Sequence, residues 1–499
     1  MSLAIIQSRA ALGMQAPPVT VEVHLSNGLP GFSIVGLPDT AIKESKERVR
    51  SAILNSGLEF PAKRITVNLA PADLPKDGGR FDLPIALGIL AASEQIPMAA
   101  LAEHEFLGEL ALSGKLRPTR GCLTAALAAR EQQHSLWIPD ENKQEAALPS
   151  KVSVFPVKHL LNLYDHFNNR RILESYEPQP MAHKQRKPAP DMMDVKGQPL
   201  AKRALEVAAA GQHNLLMIGP PGAGKSMLAA RLPGILPTLS EEEQLAIAAI
   251  YSVANSKTEP AWFERPFRSP HHSASSAAIA GGGSNPKPGE ISLAHHGVLF
   301  LDELPEFNRK ALEILREPLE TGEIAISRAN AQTQYPANFQ LVGAMNPCPC
   351  GKPDNPPEGC SNPNLCCNRY QSKLSGPLLD RIDIQLRVEA LSLQDLAKPA
   401  AITNDSSATI RKRVERAYQT QLQRANKANH QLSAKEVEIY CPLSEQDQRF
   451  ITRAADKMEL SARAYHRVLK VARTLADLED KQQIETRHLS EALSYRKVF

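Results

Sequence analysis

The sequence predicts an α/β protein in three parts: an N-terminal α/β domain (1–170), a second α/β domain (196–390), and a helical region (391–499). Three observations carry this prediction. Through residues 1–170, short β-like runs such as Ile65 to Leu69 alternate with helix-length stretches such as Asp39 to Leu54. Between 196 and 390, apolar runs four to six residues long break off into glycine-rich or polar turns, and the first leads straight into a helix-like stretch. From residue 405 on, Ile410, Val414, Ala417, Tyr418 and Leu422 keep helical spacing, as do Ala464, Val468, Val471, Ala472 and Leu475.

Length and composition agree with this division. The chain has 499 residues, enough for about three domains. Its 42% hydrophobic and 22% charged content is that of a globular protein and excludes a disordered one. The 58 basic and 54 acidic residues leave a net charge of +4, which neither demands nor excludes a nucleic-acid partner. The longest near-apolar run, Leu83 to Ala92, falls short of the roughly 20 residues that span a bilayer. The start, MSLAIIQSRA, lacks the features of a signal peptide. A cytoplasmic protein with no membrane partner is therefore expected. Seven cysteines then argue against a disulfide framework.

Residues 171–195 lose all patterning. Pro178, Pro180, Pro188 and Pro190 surround Lys184, Arg186 and Lys187, and the segment is predicted to be a linker with a solvated charge run. The strand-like run Asn214 to Ile218 follows. Gly219, Pro220, Pro221, Gly222, Ala223, Gly224, Lys225 and Ser226 come directly after it, ahead of a helix-like stretch. This is the phosphate-binding pattern GxxxxGK[ST] in its strand–loop–helix setting. The glycines let backbone N–H groups face phosphate oxygens, and the helix N-terminus adds positive potential. Lys225 is expected to neutralise β and γ phosphates and Ser226 to ligate Mg²⁺.

A second strand, Val298 to Leu301, ends in Asp302 and Glu303. Asp302 is placed to hold the same Mg²⁺ through water, and Glu303 to orient and deprotonate an attacking water. A third strand, Gln340 to Met345, ends at Asn346, an amide that either helps orient that water or opens the turn before Pro347. Arg381, in the run Ser375 to Asp383, is either an arginine that reaches a neighbouring subunit's γ-phosphate or half of an internal ion pair with Asp380 or Asp383. Arg463, Arg467 and Lys470 share one helix face, with Ser461 as a predicted N-cap. Arg463 either contacts bound nucleotide or belongs to a solvated basic face.

Taken together, these motifs resemble an AAA+ ATPase of the magnesium-chelatase-like group. More closely, the chain resembles the ComM/YifB family, linked to DNA branch migration in natural transformation. The N-terminal stretches Gly28 to Asp39, Lys43 to Ser45, Arg64 to Leu74 and Phe81 to Gly88 carry much of this resemblance. It implies ATP and Mg²⁺ as cofactors, Asn346 as sensor 1, Arg381 as an arginine finger and Arg463 as sensor 2. It further implies a homo-oligomeric, hexameric ring acting on single-stranded and branched DNA, with recombinase-coated DNA as a further partner. For the N-terminal domain it implies the Lon-protease-like (ribosomal S5 domain 2-like) fold. Ile85 stands where the protease serine would be and has no nucleophilic atom.

The resemblance also implies a helix-2 insertion (Phe267 to Glu290) and a pre-sensor hairpin (Glu323 to Tyr335) that project into a ring pore. Their cations Arg268, Lys287 and Arg328, among small polar residues, suit phosphate contact without base readout. His271 and His272 are expected to play ordinary loop or backbone-contact roles. Five cysteines, Cys348, Cys350, Cys360, Cys366 and Cys367, crowd one Pro/Asn/Gly-rich loop, a spacing that suits a structural Zn²⁺ or else a reduced, metal-free loop. The favoured ligands are Cys348, Cys350 and Cys360 with Cys366 or Cys367.

Two rival functions share this core. One is the motor subunit of a metal-chelatase complex, which the N-terminal domain is expected to disfavour, since such motors are expected to resemble only the later part of the chain. The other is a protein-remodelling or proteolytic machine, whose proteolytic form Ile85 disfavours.

Overall fold

The computed structural model describes residues 2–36, 40–76, 78–177, 190–254, 264–283, 286–328, 331–349, 363–391 and 405–496. The chain forms two compact units, Met1–Lys184 with Gln244–Pro260, and Gln185–Glu243 with Ala261–Phe499.

The first unit carries strands β1 (Ser2–Arg9), β2 (Pro18–Ser26), β3 (Gly31–Val35), β4 (Arg64–Ala70), β5 (His104–Phe106), the short hairpin β6 (Glu109–Leu110) and β7 (Leu116–Arg117), β8 (Ser135–Pro139) and β9 (Val154–Val157). Seven of them form a mixed sheet in the order β3-β4-β2-β1-β5-β8-β9. On β2, Val19, Val21, Val23 and Leu25 point inward and the intervening residues do not, the period of two that a half-buried strand requires. The helix Asp82–Ala92 packs on the inner side, and all of its residues are buried. It is apolar around its whole circumference because it has no solvent face. Gly88 lies so close to β2 that a Cβ there would fall 2.4 Å from Val23 Cγ2. Asp82, at the start of this helix, is buried; burial pushes its carboxyl pKa up, against Arg48, whose Nε donates to it at 2.7 Å.

The second unit holds β10 (Leu215–Ile218), β11 (Phe267–Arg268), β12 (Gly281–Gly282), β13 (Lys287–Pro288), β14 (Val298–Leu301), β15 (Glu323–Arg328), β16 (Ala331–Pro336), β17 (Gln340–Met345) and β18 (Ile384–Arg387). Five make an all-parallel sheet in the order β11-β14-β17-β10-β18. Every residue of β10, β14 and β17 is buried, which explains their unbroken apolar runs.

The helices Ser407–Ala425, Ala434–Tyr440, Glu445–Lys457, Ala462–Leu478 and Thr486–Ser494 complete the unit. Ile410, Val414, Val468 and Leu475 join the same core as Leu215, Val342 and Ile384. Four of these helices begin at a serine, Ser406, Ser433, Ser444 and Ser461, whose side chain accepts a backbone N–H of the first turn. The sequence thus located a C-terminal helical region and the Ser461 cap correctly.

The predicted linker ends earlier than residue 195. Met192 and Val195 are buried in the second unit's core. Asp191 accepts the Ser407 N–H at 2.9 Å, and Met192 N–H donates to Ser407 Oγ at 2.8 Å. Met192 and Val195, with the exposed Met193 between them, are too few to set a period, and the prolines before them signal a linker. Residues 178–189, with the Lys184–Lys187 charge run, lie outside the described residues.

Candidate active site

The carboxyl ends of neighbouring parallel strands gather the candidate catalytic groups, as expected for an open α/β sheet. The phosphate loop leaves β10, Asn346 follows β17, and Asp302 and Glu303 follow β14; these three strands are adjacent in the order β14-β17-β10. Pro221 to Met227, Asp302, Glu303 and Asn346 line one open cleft of about 330 Å³, at the small end of the range usual for small-molecule sites.

The loop conformation explains its glycines. Gly222 and Gly224 have φ of +78° and +87°, which L-residues avoid. Gly219 abuts the residue that follows β18, so closely that a Cβ would fall 2.1 Å from the Val388 carbonyl oxygen. Lys225 opens the helix Lys225–Ala229, and its Nζ donates to Gly219 O (2.7 Å), Pro220 O (3.0 Å) and Asn346 Oδ1 (3.1 Å). Burial lowers the ammonium's pKa while Asp302 and Glu303 raise it. A desolvated cation at a helix N-terminus is a strong site for phosphate.

Ser226 Oγ donates to Asp302 Oδ2 at 2.6 Å. A hydroxyl and a carboxylate at this separation are hard oxygen donors that can share one Mg²⁺, so the donor set fits that ion. Bound there, Mg²⁺ would neutralise phosphate charge; Ser226 and Asp302 are the residues that would hold it.

Glu303 is held at φ +52°, a strained backbone for a glutamate and the kind of strain found at functional positions. Its N–H donates to Asp302 Oδ1 at 2.9 Å, and its Oε2 lies 3.0 Å from His272 Nδ1. The His272 contact corrects the expectation of an ordinary loop role. Nothing in the sequence signals it, because the two residues lie 31 positions apart on different strand ends.

Arg381 is buried: its Nε donates to Arg316 O (3.1 Å), its Nη1 donates to Pro377 O (2.7 Å), and it is ion-paired with Glu320. The internal partner is thus neither Asp380 nor Asp383. Because β10 and β18 pair in parallel from Leu215↔Ile384 to Ile218↔Arg387, Arg381 sits at the sheet end away from its own phosphate loop. The separation is roughly the length of a four-residue strand, about 13 Å.

Arg463 is exposed, with no hydrogen bond or ion pair among the described residues. The basic-face alternative fails for its neighbours. Arg467 is tied to Asp383, and the Lys470 Nζ donates to His430 O at 2.9 Å.

Arg268, expected to contact phosphate, is instead held by Glu290 in two bonds of 2.6 and 2.8 Å at the base of its segment. It starts there because β11 is a strand of the main sheet. Lys287 is exposed on β13. Arg328 ends β15, and its side chain lies outside the described residues. β15 and β16 form the expected hairpin, with Arg328 opposite Ala331. The hairpin and insertion brace each other: Tyr335 Oη donates to Pro286 O at 2.7 Å, and Ile326 packs against Gly281.

Of the cysteines, Cys348 is buried and Cys366 and Cys367 are half-buried, while Cys350 and Cys360 lie outside the described residues. Among the described residues, the metal-type ligands that converge are His213, Asp383 and His430, not cysteines. Arg467 and Lys470 already supply that group with positive charge.

A five-stranded parallel sheet with this loop, these carboxylates and a polar amide at the carboxyl ends of its central strands defines a P-loop ATPase. The family described as magnesium chelatase, subunit ChlI, matches residues 191–396, and its C-terminal counterpart matches 404–496. The core is therefore a magnesium-chelatase-like AAA+ ATPase domain, with the ATP and Mg²⁺ requirement that this implies.

The chain is 51% identical over 500 residues to "Competence protein ComM" of Haemophilus influenzae, covering 99% of this chain and 98% of the relative. It is 51% identical over 501 residues to "Uncharacterized protein YifB" of Salmonella typhimurium, covering 100% and 98%. The chain belongs to the YifB/ComM family.

A family described as subunit ChlI of Mg-chelatase also matches residues 21–142. This corrects the expectation that chelatase-type motors resemble only the later part of the chain. The extent of the matches separates the two groups instead: "Magnesium-chelatase 67 kDa subunit" of Chlorobaculum parvum is 27% identical over 158 residues, 31% of this chain and 23% of that protein. Among the described residues, no helix is long and apolar enough to cross a membrane.

Proposed function

We propose that this protein is a ring-forming, ATP-driven DNA motor, a helicase that promotes branch migration of recombination intermediates during natural transformation. The observation that carries the motor reading is the braced pair of segments, insertion and β15–β16 hairpin. Together they carry Lys287, exposed on β13, and Arg328, at the end of β15, and the same insertion holds His272 against Glu303. A force on the insertion therefore has a short path to the hydrolytic carboxylate.

Arg381 lies at the far sheet end from its own loop, so its use on nucleotide requires a neighbouring subunit, hence a ring, read as a hexamer. Asn346, bonded to Lys225, takes the sensor 1 role, and Arg463 the sensor 2 role. The N-terminal unit takes the Lon-protease-like fold as a scaffold or DNA-entry ring. Ile85 is fully buried in the core, where no substrate reaches it. The full-length likeness to a protein named for competence supports the setting.

The runner-up is a metal-chelatase motor, favoured by the 21–142 match and disfavoured by the short reach of the chelatase-subunit alignment.

Few aromatics interleave with the cations of the two segments, so grip is expected through phosphates. DNA should stimulate ATP hydrolysis. Affinity should fall steeply with salt and vary little with sequence. Arg328→Ala, alone or with Lys287→Ala, should weaken DNA binding and unwinding and leave basal hydrolysis near wild type. Wild-type unwinding by the double variant would remove the two segments from the DNA path. The helix bearing Arg411, Lys412, Arg413 and Arg416 would be the next surface to test.

The cysteine loop is read as a zinc staple, with Cys348 and the helix bearing Cys366 and Cys367 at its ends. Elemental analysis of tag-free protein should find about one Zn²⁺ per chain. A folded, metal-free preparation made without chelators excludes it.

A further inference from the structure

At the end of the sheet remote from the phosphate loop, one buried carboxylate joins three parts of the second unit. Asp383 immediately precedes β18 and is almost fully buried. Its Oδ2 accepts the Asn214 N–H at 3.1 Å, at the start of β10, and lies 3.1 Å from His430 Nδ1 and 3.5 Å from His213 Nδ1. Its Oδ1 accepts from Arg467 Nη1 at 2.5 Å. Burial alone would push this carboxyl up; Arg467, with His213 and His430, outweighs that and holds it well below the usual carboxylate range. The group is therefore a fixed anion.

Arg467 does more than neutralise it. The same Nη1 lies 3.1 Å from Arg381 O, which also accepts from Asn214 Nδ2 at 3.1 Å. One guanidinium thus grips the Arg381 backbone and the carboxylate two residues later. Arg467 stands one turn after Arg463 on the helix Ala462–Leu478, about 6 Å along its axis. On its other side, the Arg381 side chain is fixed by Arg316, Pro377 and Glu320. Any shift of that helix must pull on the Arg381–Asp383 segment, because the link between them is short, charged and anchored on a fully buried carboxylate, and so stiff.

We propose that Arg467 and Asp383 are positioning residues for Arg381: they tie the helix that carries Arg463 to the backbone of the arginine offered to a neighbouring subunit. This rests on the reading of Arg381 as acting in trans. Nucleotide contact at Arg463 and presentation of Arg381 then become one mechanical event. The same joint explains why so polar a cluster is buried at a sheet end that carries no phosphate loop.

The test is steady-state ATP hydrolysis and nucleotide affinity of the full chain carrying Arg467→Ala, beside Arg381→Ala as reference. Misplacing a catalytic arginine by about an ångström costs on the order of 10²-fold in rate. Arg467→Ala should therefore lose about 10²-fold in kcat with nucleotide affinity within roughly twofold of wild type. Mixed with Lys225→Ala subunits it should regain activity, as Arg381→Ala is expected to. Arg467→Lys, which keeps a cation facing Asp383, should recover part of the rate, and it decides the matter by the same readouts if the alanine variant fails to fold.

A wild-type rate in either Arg467 variant that folds, with Arg381→Ala impaired, overturns the proposal. So does a defect that appears as weaker nucleotide binding and is not complemented in mixed rings. A wild-type rate in Arg381→Ala itself overturns the reading beneath it, a separate outcome.

Discussion

Lys225→Ala should abolish nucleotide binding, and Glu303→Gln should bind ATP tightly yet barely turn it over. Lys225 is the buried cation of the phosphate loop, and its three oxygen partners are the loop's own carbonyls and Asn346. Removing it takes away the charge that offsets β and γ phosphates and leaves the strained glycine turn without its anchor. Glu303→Gln preserves size and hydrogen bonding at φ +52° but cannot accept a proton. The loss expected for a water-activating group is about 10²–10⁴ in rate. Equilibrium binding of a fluorescent ATP analogue and phosphate release separate the two effects. Full turnover by Glu303→Gln would remove Glu303 from its role and direct attention to Asp302.

Arg381→Ala should also suppress hydrolysis strongly while sparing nucleotide binding, because the arginine is remote from its own loop. An arginine supplied to a transferring phosphoryl group is worth about 10³–10⁵ in rate. In mixtures with Lys225→Ala subunits, one interface keeps an intact loop from the first chain and an intact arginine from the second. Activity should then exceed that of either variant alone. Absence of recovery, with mixed assembly confirmed, counts against action in trans. In the single chain Arg381 is buried and paired with Glu320, so engagement with a neighbour requires that pairing to open. Glu320→Gln should ease it.

How far the sequence disclosed the site follows from the physics of each part. The phosphate loop and the Asp302–Glu303 pair are local: a buried parallel strand is a continuous apolar run, and chemistry begins where it stops. Asn346 is visible for the same reason, since β17 is buried throughout. The serine caps and helical stripes beyond 405 are local as well.

The contacts that depend on tertiary packing were not legible. Arg381 had two plausible partners within two residues, yet Glu320, 61 positions away, takes it. Asp383 instead faces Arg467, 84 positions on. Arg268 looked free in a glycine- and serine-rich segment, whereas its strand position turns it toward Glu290. No periodicity encodes such pairings, because each is set by where two distant chain segments meet.

On the proposed function, hydrolysis at this site drives movement of a DNA branch point. The most direct measurement uses a synthetic branched DNA in which strand exchange separates a fluorophore from a quencher, with purified full-length protein, ATP and Mg²⁺. Wild type is expected to move the branch point in an ATP-dependent manner, with Glu303→Gln inactive although it still binds the DNA. Active, DNA-bound wild-type ATPase that leaves the branch point where it was would rule out branch migration as its task.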